Sequence, residues 1–216
     1  MKVIPISFRW LGGIAPDGLQ MLKNITEAGR ICYQSEKIGG EAEFVRSLIQ
    51  RGHESVIEHE KISVVVLCDR GVTHEEVRHR IASYSQESTR YCNYTGERFG
   101  GELTFIDIRG GIERDAKMQD LTPEQIEAIM IEWVCACADA ERHYNKIIEL
   151  GASAQIARSV LNNSLKAAIA ITMNLREWRH FFKLRAAPAA HPQMREVAEM
   201  LLQAFKDVVP VVFDDL

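Results

Sequence analysis

The segment Arg78–Arg90 contains a group of side chains whose types could bind an anion. It opens with three consecutive basic residues, R-H-R, and continues into a stretch rich in hydroxyl and amide groups that includes Ser88. Arginine offers a forked, always-charged set of donors that suits phosphate. The pattern T-H-E-E from Thr73 predicts the start of a helix that carries these residues. Three consecutive positions spread around a helix, so at least one basic side chain should point toward protein or ligand.

A solvated amphipathic helix is the competing interpretation of this segment, and residue types alone favour it. Three acids balance the three arginines: Glu75, Glu76 and Glu87 against Arg78, Arg80 and Arg90. The same balance, with a formal net charge of -4 over 216 residues, argues against nucleic-acid binding. A helical RNA- or DNA-binding protein stays as an alternative that steeply salt-dependent binding to polynucleotide would revive.

A second basic stretch, Asn174–Arg185, has four basic residues besides its histidine and one acid, Glu177. Its apolar residues at helical spacing predict a core-facing stripe, and its basic residues line another face (apolar Leu175, Trp178 and Phe182; basic Arg176, His180 and Lys183). Such a face suits a flavin or nucleotide wall and equally an ordinary surface helix. Composition does not decide between them.

Other patterns exclude several classes of site. The histidines and carboxylates of His53–Glu60 match no metal-binding helix pattern, so no metal site is predicted. The five cysteines form no C-x-x-C pair and are expected to be reduced thiols (Cys32, Cys68, Cys92, Cys135 and Cys137). The chain also lacks a G-x-G-x-x-G fingerprint, a P-loop and a G-x-S-x-G elbow.

The elements that must position these residues follow from capping and hydrophobic spacing. Asp17, Thr122 and Asn174 are predicted helix caps. The predicted strands are Lys2–Arg9 and segments within 60–70, 103–108 and 168–173; the predicted helices span about 17–33, 41–52, 73–84, 122–151, 154–165 and 174–185, with a last one from His191. We predict one helix-rich α+β domain over residues 1–216 with a central mixed or antiparallel sheet. No signal peptide or membrane-spanning run is recognisable, so a soluble cytoplasmic protein is expected.

The spacing R-H-R, seven residues, S, one residue, R resembles the signature motif of flavin-dependent thymidylate synthases. The resemblance extends in order from about Ile6 to Val208. It includes His53-x4-Glu58-His59, Ala157-Arg158, Asn174-x-Arg176, Leu184-Arg185 and the stretch 190–193. The resemblance implies an α+β subunit that forms a homotetramer with shared active sites. It also implies methylation of dUMP to dTMP, with methylene-tetrahydrofolate as carbon donor, FAD as hydride carrier and NADPH or NADH as reductant, and with release of tetrahydrofolate.

The resemblance assigns roles position by position. FAD would be bound by Ser55, Arg78, His79, Arg80, Ile81, Gln86, Asn174, Arg176, His180 and His191. The nucleotide dUMP would be held by Glu75, Arg78, Gln86, Glu87, Ser88, Thr89, Arg90, Arg158 and Arg185. His53, together with Cys32, would lie near the folate and nicotinamide end of the flavin. Arg185 would be the catalytic residue, because its charge against the N3–C4=O edge of uracil favours the reactive anion.

Some positions depart from the pattern of this family. Asn162, Ala167 and Ala168 stand where a Leu-Pro pair and a threonine are common, and Glu75 and His180 replace Gln and Asn. An ionised Glu75 would present only acceptors to a uracil ring. A relative that kept the anion-binding scaffold but lost turnover is the main alternative, although all five signature residues are intact.

Overall fold

The structure is a computed structural model that describes residues 1–34 and 39–216. Within these residues the strands are β1 (Lys2–Ile4), β2 (Ser7–Trp10), β3 (Lys61–Asp69), β4 (Ser83–Gln86), β5 (Thr104–Ile106) and β6 (Lys166–Asn174). The helices are α1 (Gly18–Tyr33), α2 (Glu41–Gln50), α3 (Arg70–Glu76), α4 (Arg109–Arg114), α5 (Pro123–Glu149), α6 (Ala154–Ala157), α7 (Leu175–Arg185), α8 (Pro192–Val208) and α9 (Pro210–Phe213). The helix-rich α+β fold class is confirmed. None of the helices in this part of the chain has the length and apolar character needed to cross a membrane.

The predicted caps begin three of the helices, α1, α5 and α7. Asp17 Oδ1 accepts the amide hydrogen of Gln20 at 3.0 Å and begins α1. Thr122 and Gln125 form a reciprocal capping box, and α5 then continues for 27 residues. Asn174 Oδ1 accepts the amide hydrogen of Glu177 at 2.8 Å and begins α7. These predictions are confirmed because each cap satisfies donors that the first turn of a helix leaves unpaired.

The predicted helix through the R-H-R residues is wrong. Helix α3 begins earlier, because Asp69 Oδ1 accepts the amide hydrogen of Val72 at 2.8 Å. Thr73 therefore lies inside the helix, where its hydroxyl donates to the carbonyl of Arg70 at 2.9 Å. The helix ends at Glu76, whose side chain is fully buried instead of reaching back to a cap. The three basic residues follow α3 in a turn and an irregular segment.

Several other elements differ from the prediction. The single N-terminal strand is wrong: Pro5, which lacks an amide hydrogen, lies between β1 and β2. The helix predicted over 154–165 is also wrong, since α6 ends at Ala157 and a 3-10 turn covers Arg158–Val160. Strand β4 and helices α4 and α9 were not predicted.

The strands form two sheets. β1 and β5 pair in parallel, with Lys2 opposite Thr104 and Ile4 opposite Ile106. The other sheet has four strands in the order β2-β3-β6-β4. β3 leads directly into α3 and β6 leads directly into α7. The two longest strands thus set the starting points of the two chain segments with most of the candidate site residues.

The described contacts sort the chain into two compact units. The first, here named the α5 unit, comprises Met1–Ser7, Val66–Arg78 and Ser85–Ile169. Its core is the inner stripe of α5 packed with residues of β5 and the segment before β6, including Cys137, Tyr144, Phe105 and Leu165. The prediction of one domain over 1–216 stays a prediction.

The second, here named the α7 unit, comprises Phe8–Val65, His79–Tyr84 and Ala170–Leu216. Its core is an aromatic cluster from α7, α8 and α9, formed by Trp178, Phe181, Phe182, Phe205 and Phe213. The indole Nε1 of Trp178 donates to the carbonyl of Ile62 at 3.0 Å, so its buried polar atom is satisfied. This packing holds α7 in a fixed orientation within its unit.

Candidate functional site

A polar pocket of about 400 Å³ lies in the α5 unit. Two arginines, Arg70 and Arg158, line it, and none of the lining residues that the structure describes carries a carboxylate. The remaining wall is formed by Thr89, Gln155, Ser159, Leu161, Asn162, Asn163 and Leu165. Two fixed positive charges among hydroxyl and amide donors make this a pocket for an anion such as phosphate.

Arg158 is held by the segment that follows the R-H-R residues. Its Nη1 donates to the hydroxyl of Thr89 at 3.1 Å, and Thr89 is only 5% exposed. The adjacent Ser88 begins a turn, since its carbonyl accepts amide hydrogens from Tyr91 and Cys92 at 3.2 and 3.1 Å. The structure therefore brings Arg158 and Thr89 together in one pocket, as expected for residues that hold the same substrate group.

Glu87 anchors this segment to β6. Lys166 Nζ lies 2.6 Å from its Oε2, and the Tyr94 hydroxyl donates to its Oε1 at 2.8 Å. The backbone also contributes, because the amide of Glu87 donates to the carbonyl of Ala168 at 2.8 Å. Burial, followed by the nearby Glu87 carboxylate, raises the pKa of Tyr94, so this phenol stays protonated as the donor. Both oxygens of Glu87 thus accept hydrogen bonds inside the unit.

A buried carboxyl group lies at the end of α3. Glu76 is 0% exposed, and the Cys68 thiol donates a hydrogen bond to its Oε2 at 3.8 Å. Burial is the main cause that raises its pKa to about 8, and the charge of Asp69 adds to the shift. Glu76 is therefore neutral at pH 7, which corrects its sequence-based interpretation as a surface counter-charge.

The second cavity, of about 480 Å³, lies in the α7 unit and differs in charge. Its wall contains three carboxylates, from Glu54, Glu58 and Glu177, and two permanent cations, from Arg176 and Lys183. Ile81, Asn174 and His180 complete it. Four of the residues that the resemblance assigns to FAD line this cavity: Ile81, Asn174, Arg176 and His180.

The cations of this cavity are already paired. Arg176 Nη1 lies 2.5 Å from Glu58 Oε1, and this hydrogen bond is the main cause that raises the pKa of Arg176. Glu54 forms ion pairs with both cations: its Oε2 lies 3.7 Å from Arg176 Nε, and its Oε1 lies 3.8 Å from Lys183 Nζ. Glu54 is itself held by Arg179, a 2% exposed guanidinium whose Nε donates to Glu54 at 3.3 Å. Arg179 also binds both oxygens of Asp215, at 2.6 and 2.7 Å, and the carbonyl of Val212.

His79 lies buried beside α7. Its ring centroid is 4.9 Å from that of Phe181 and 5.7 Å from that of His180. Its Nδ1 lies 3.3 Å from Glu177 Oε1, and its Nε2 accepts a hydrogen bond from Arg185 Nε at 3.1 Å. Burial, then the charges of Arg185 and His180, lowers the pKa of His79 to about 4, so the ring is neutral at pH 7.

The donor atoms of His79, Glu177 and His180 all lie within 4.8 Å of one another. Two imidazoles and one carboxylate match a transition-metal donor set. However, Arg185 donates to one ring nitrogen of His79, and the other faces Glu177. The hydrogen-bond network thus uses the atoms that a metal would need, and we still predict no metal here.

The structure divides the predicted site residues between the two units. The α5 unit holds Glu75, Arg78, Gln86, Glu87, Ser88, Thr89, Arg90 and Arg158. The α7 unit holds His53, Ser55, His79, Arg80, Ile81, Asn174, Arg176, His180, Arg185 and His191, and also Cys32. His53, Ser55 and His191 are exposed and do not line the 480 Å³ cavity. The individual roles stay predictions.

Sequence reasoning missed several residues that line the cavities. Arg70 and Asn163 in the pocket, and Glu177 in the cavity, had no assigned role, whereas Lys183 lay on the basic face already named. For Arg70 a signal was present, because it follows the most strand-like run of the chain directly. Polar residues at strand ends often line ligand sites.

The comparisons with known proteins show the family to which the chain belongs. The family model described as "Thymidylate synthase complementing protein" matches residues 19–211. A flavin-dependent thymidylate synthase of Mycobacterium tuberculosis is 34% identical over 198 residues, which cover 87% of this chain and 76% of that protein. The enzyme of the same name from Geobacter sulfurreducens is 33% identical, and the match covers 87% of this chain and 78% of that protein.

One solved structure with a similar fold is described as a UMP/dUMP methylase, PolB from Streptomyces cacaoi, bound with 5-Br dUMP. Its TM-score is 0.81 at 24% identity, and the match covers 99% of this chain and 96% of that one. The same protein with 5-Br UMP gives a TM-score of 0.77. At this level of identity the likeness shows the fold.

Proposed function

The chain belongs to the flavin-dependent thymidylate synthase family, and from that premise we propose that it is the enzyme that methylates dUMP to dTMP. The carbon donor is methylene-tetrahydrofolate, the hydride carrier is FAD and the reductant is NADPH or NADH. The folate leaves as tetrahydrofolate. The observation that carries the proposal is the pocket of the α5 unit, where Arg158 donates to Thr89, a second arginine also lines the wall, and no described lining residue is a carboxylate.

The 5′-phosphate of dUMP is the group that fits this pocket. Arg158 and Arg70 supply charge, and Ser88, Thr89 and Arg90 supply short donors or charge on the adjoining segment. Glu87 then acts mainly through the backbone, because Lys166 and Tyr94 occupy its carboxylate. A charged hydrogen bond to phosphate is worth about 1.5–3 kcal/mol, so two guanidiniums account for strong nucleotide binding.

Arg185 supplies the chemistry at the uracil ring. A positive charge against the N3–C4=O edge stabilises the negative charge that makes C5 nucleophilic. Each unit by which the charge lowers the pKa of the ring corresponds to about 1.4 kcal/mol of stabilisation. Ser88 is a substrate ligand in this proposal and not a nucleophile, and Cys68 and Cys137 are buried thiols whose raised pKa, due mainly to burial, keeps them protonated.

The cavity of the α7 unit would hold a flavin dinucleotide if the ion pairs of Arg176 and Lys183 with Glu58 and Glu54 open to it. Arg176 and Lys183 suit a pyrophosphate, Asn174 offers an amide, and Ile81 offers an apolar contact. FAD, when bound, supplies hydride transfer between the nicotinamide and the folate-derived carbon. The chain's own residues bind and orient it; His53 and Cys32 are proposed to lie toward the folate end.

We further propose that the chain forms a homotetramer in the cytoplasm with active sites built from more than one subunit. Family membership supports this, and so do the exposed apolar side chains on α5, which include Ile131 at 53% and Val134 at 39% exposure. Neither membrane nor nucleic acid is a proposed partner.

An absorption spectrum of the purified protein tests the proposal first. A flavin band that bleaches with NADPH without oxygen is the expected result, followed by dTMP when dUMP and methylene-tetrahydrofolate are added. A protein that binds no flavin, even with FAD supplied, contradicts the proposed function. A protein that binds flavin and dUMP but forms no dTMP is instead the scaffold without turnover.

A further inference from the structure

Glu177, His79 and Arg185 form a continuous hydrogen-bonded chain in the α7 unit. Glu177 Oε1 lies 3.3 Å from His79 Nδ1, and Arg185 Nε donates to His79 Nε2 at 3.1 Å. We infer that Glu177 is a positioning residue that acts through His79 to hold the guanidinium of Arg185 for its work on the uracil ring. The inference rests on the proposed function for the role of Arg185, while the arrangement of the three side chains is independent of it.

Donor and acceptor chemistry determines the direction of this chain. A guanidinium can only donate, so the Nε2 atom of His79 must be unprotonated to accept from Arg185. A neutral imidazole with unprotonated Nε2 carries its proton on Nδ1, and that N–H then donates to Glu177. Glu177 thus selects the tautomer that gives Arg185 its acceptor.

The environment of His79 keeps this tautomer in place. The ring is 5% exposed, packs on Phe181 and lies beside His180, and the Tyr84 hydroxyl donates to the His79 carbonyl at 2.8 Å. The low pKa of the ring excludes the doubly protonated form at neutral pH. A doubly protonated ring would direct an N–H at the guanidinium of Arg185.

Helix α7 fixes the spacing of the chain. Glu177, Phe181 and Arg185 are four residues apart, so they share one face of the helix. Glu177 is 8% exposed in the first turn, where its own amide donates to the Asn174 cap at 2.8 Å. The ring of His79 thus lies between a side chain of the first turn and one of the last, and it packs on Phe181, which lies midway between them in the helix.

Without an acceptor at position 177, His79 should no longer be restricted to the tautomer that is protonated on Nδ1. In Glu177→Ala the Nδ1–H of His79 has no acceptor in that position, and a proton on Nε2 would oppose the donor of Arg185. In Glu177→Gln the amide oxygen still accepts from Nδ1. The two variants therefore separate hydrogen bonding from charge at this position.

The dissociation constant of dUMP for the FAD-loaded enzyme, followed by the change in flavin absorbance, is the primary measurement. Glu177→Ala should weaken dUMP about tenfold, the effect of one well-placed hydrogen bond, and lower kcat as well, whereas Glu177→Gln should stay within about twofold. In an Arg185→Ala background, Glu177→Ala should have no further effect on dUMP affinity, since coupled residues are not additive. Asp207→Ala removes an exposed carboxylate from α8 of the same unit and is the matched control.

A second measurement determines the tautomer of His79 directly and does not depend on enzyme activity. Imidazole ¹⁵N spectra of the histidine-labelled wild type, with His79 identified by His79→Gln, should show a protonated Nδ1 and an unprotonated Nε2. A protonated Nε2, equal dUMP affinity in Glu177→Ala and wild type, or the same loss in the Arg185→Ala background would each overturn the inference. Wild-type protein that forms no dTMP but shows the expected tautomer would overturn the proposed function and leave the positioning chain standing.

Discussion

The pocket of the α5 unit and the cavity of the α7 unit differ in how their positive charges are balanced. In the pocket, Arg70 and Arg158 face hydroxyls and amides, and the described lining residues include no acid. In the cavity, Arg176 and Lys183 already face Glu58 and Glu54. The first arrangement is prepared for an anion, while the second must exchange an internal carboxylate for a ligand anion. Substitutions that change charge should therefore alter ligand affinity more in the pocket of the α5 unit than in the cavity of the α7 unit.

Arg185 provides the largest expected effect, because it lies in the α7 unit and is proposed to act on the uracil ring of the nucleotide. Arg185→Ala should keep FAD bound and lower dTMP formation by roughly 10²–10³-fold, the usual loss when one donor to a developing anion is removed. Single-turnover assays with the flavin already reduced measure this step. Near-normal dTMP formation would show that Arg185 does not act on the uracil ring.

Arg158→Ala should weaken dUMP binding by roughly 10²-fold, because no lining acid of the pocket offsets the lost charge. The flavin spectrum should be unchanged, since Arg158 belongs to the other unit. The matched control is Arg142→Ala, which removes an exposed arginine of α5 that pairs with Asp139 at 3.0 Å. Equal nucleotide affinity in the two variants would place the phosphate elsewhere.

The two units should respond to pH in opposite directions. Buried Glu76 has its pKa raised from 4.5 to about 8, so the folded state binds more protons and unfolding free energy falls as pH rises through that window. His79 has its pKa lowered from 6.5 to about 4, so its own contribution to the unfolding free energy rises with pH between those values and offsets that of Glu76 between pH 4.5 and 6.5. Denaturant unfolding between pH 6.5 and 8 should show a decline of at most about 1 kcal/mol per pH unit.

Single variants separate these two contributions. Glu76→Gln should flatten the decline above pH 6.5 and leave, between pH 4.5 and 6.5, a rise due to His79 alone, while His79→Gln should leave a decline due to Glu76 over both ranges. An unaltered slope in Glu76→Gln would mean that Glu76 is already ionised in the folded protein.

Glu58→Gln gives the smallest expected effect. It removes the charge that faces Arg176 at 2.5 Å, so FAD should bind about threefold more tightly, in line with the modest strength of exposed ion pairs. Glu149→Gln is the control, because Glu149 forms a similar exposed pair with Lys146 at 3.1 Å. Titration of apoprotein with FAD measures both variants, and weaker flavin binding in Glu58→Gln would show that the carboxylate itself holds the cofactor.

Local sequence was sufficient to predict where a helix begins when only one candidate N-cap residue precedes it. Thr122 with Gln125 and Asn174 with Glu177 begin α5 and α7 where predicted. It was insufficient where two candidate N-cap residues stand close together. Asp69 and Thr73 both precede the R-H-R residues, and Asp69 is the N-cap of α3. Charge balance along the chain was equally misleading for Glu76, which the fold buries.

The residues by themselves determined the fold class, the main helices and the family, because caps, hydrophobic spacing and the R-H-R signature are properties of short segments. Only the tertiary structure decided which charges meet. The contacts of Arg158 with Thr89 and of His79 with Glu177 and Arg185 join residues 69, 98 and 106 positions apart. Partners at such separations are chosen by the packing of whole helices and strands, and burial then determines which of them keep their charge.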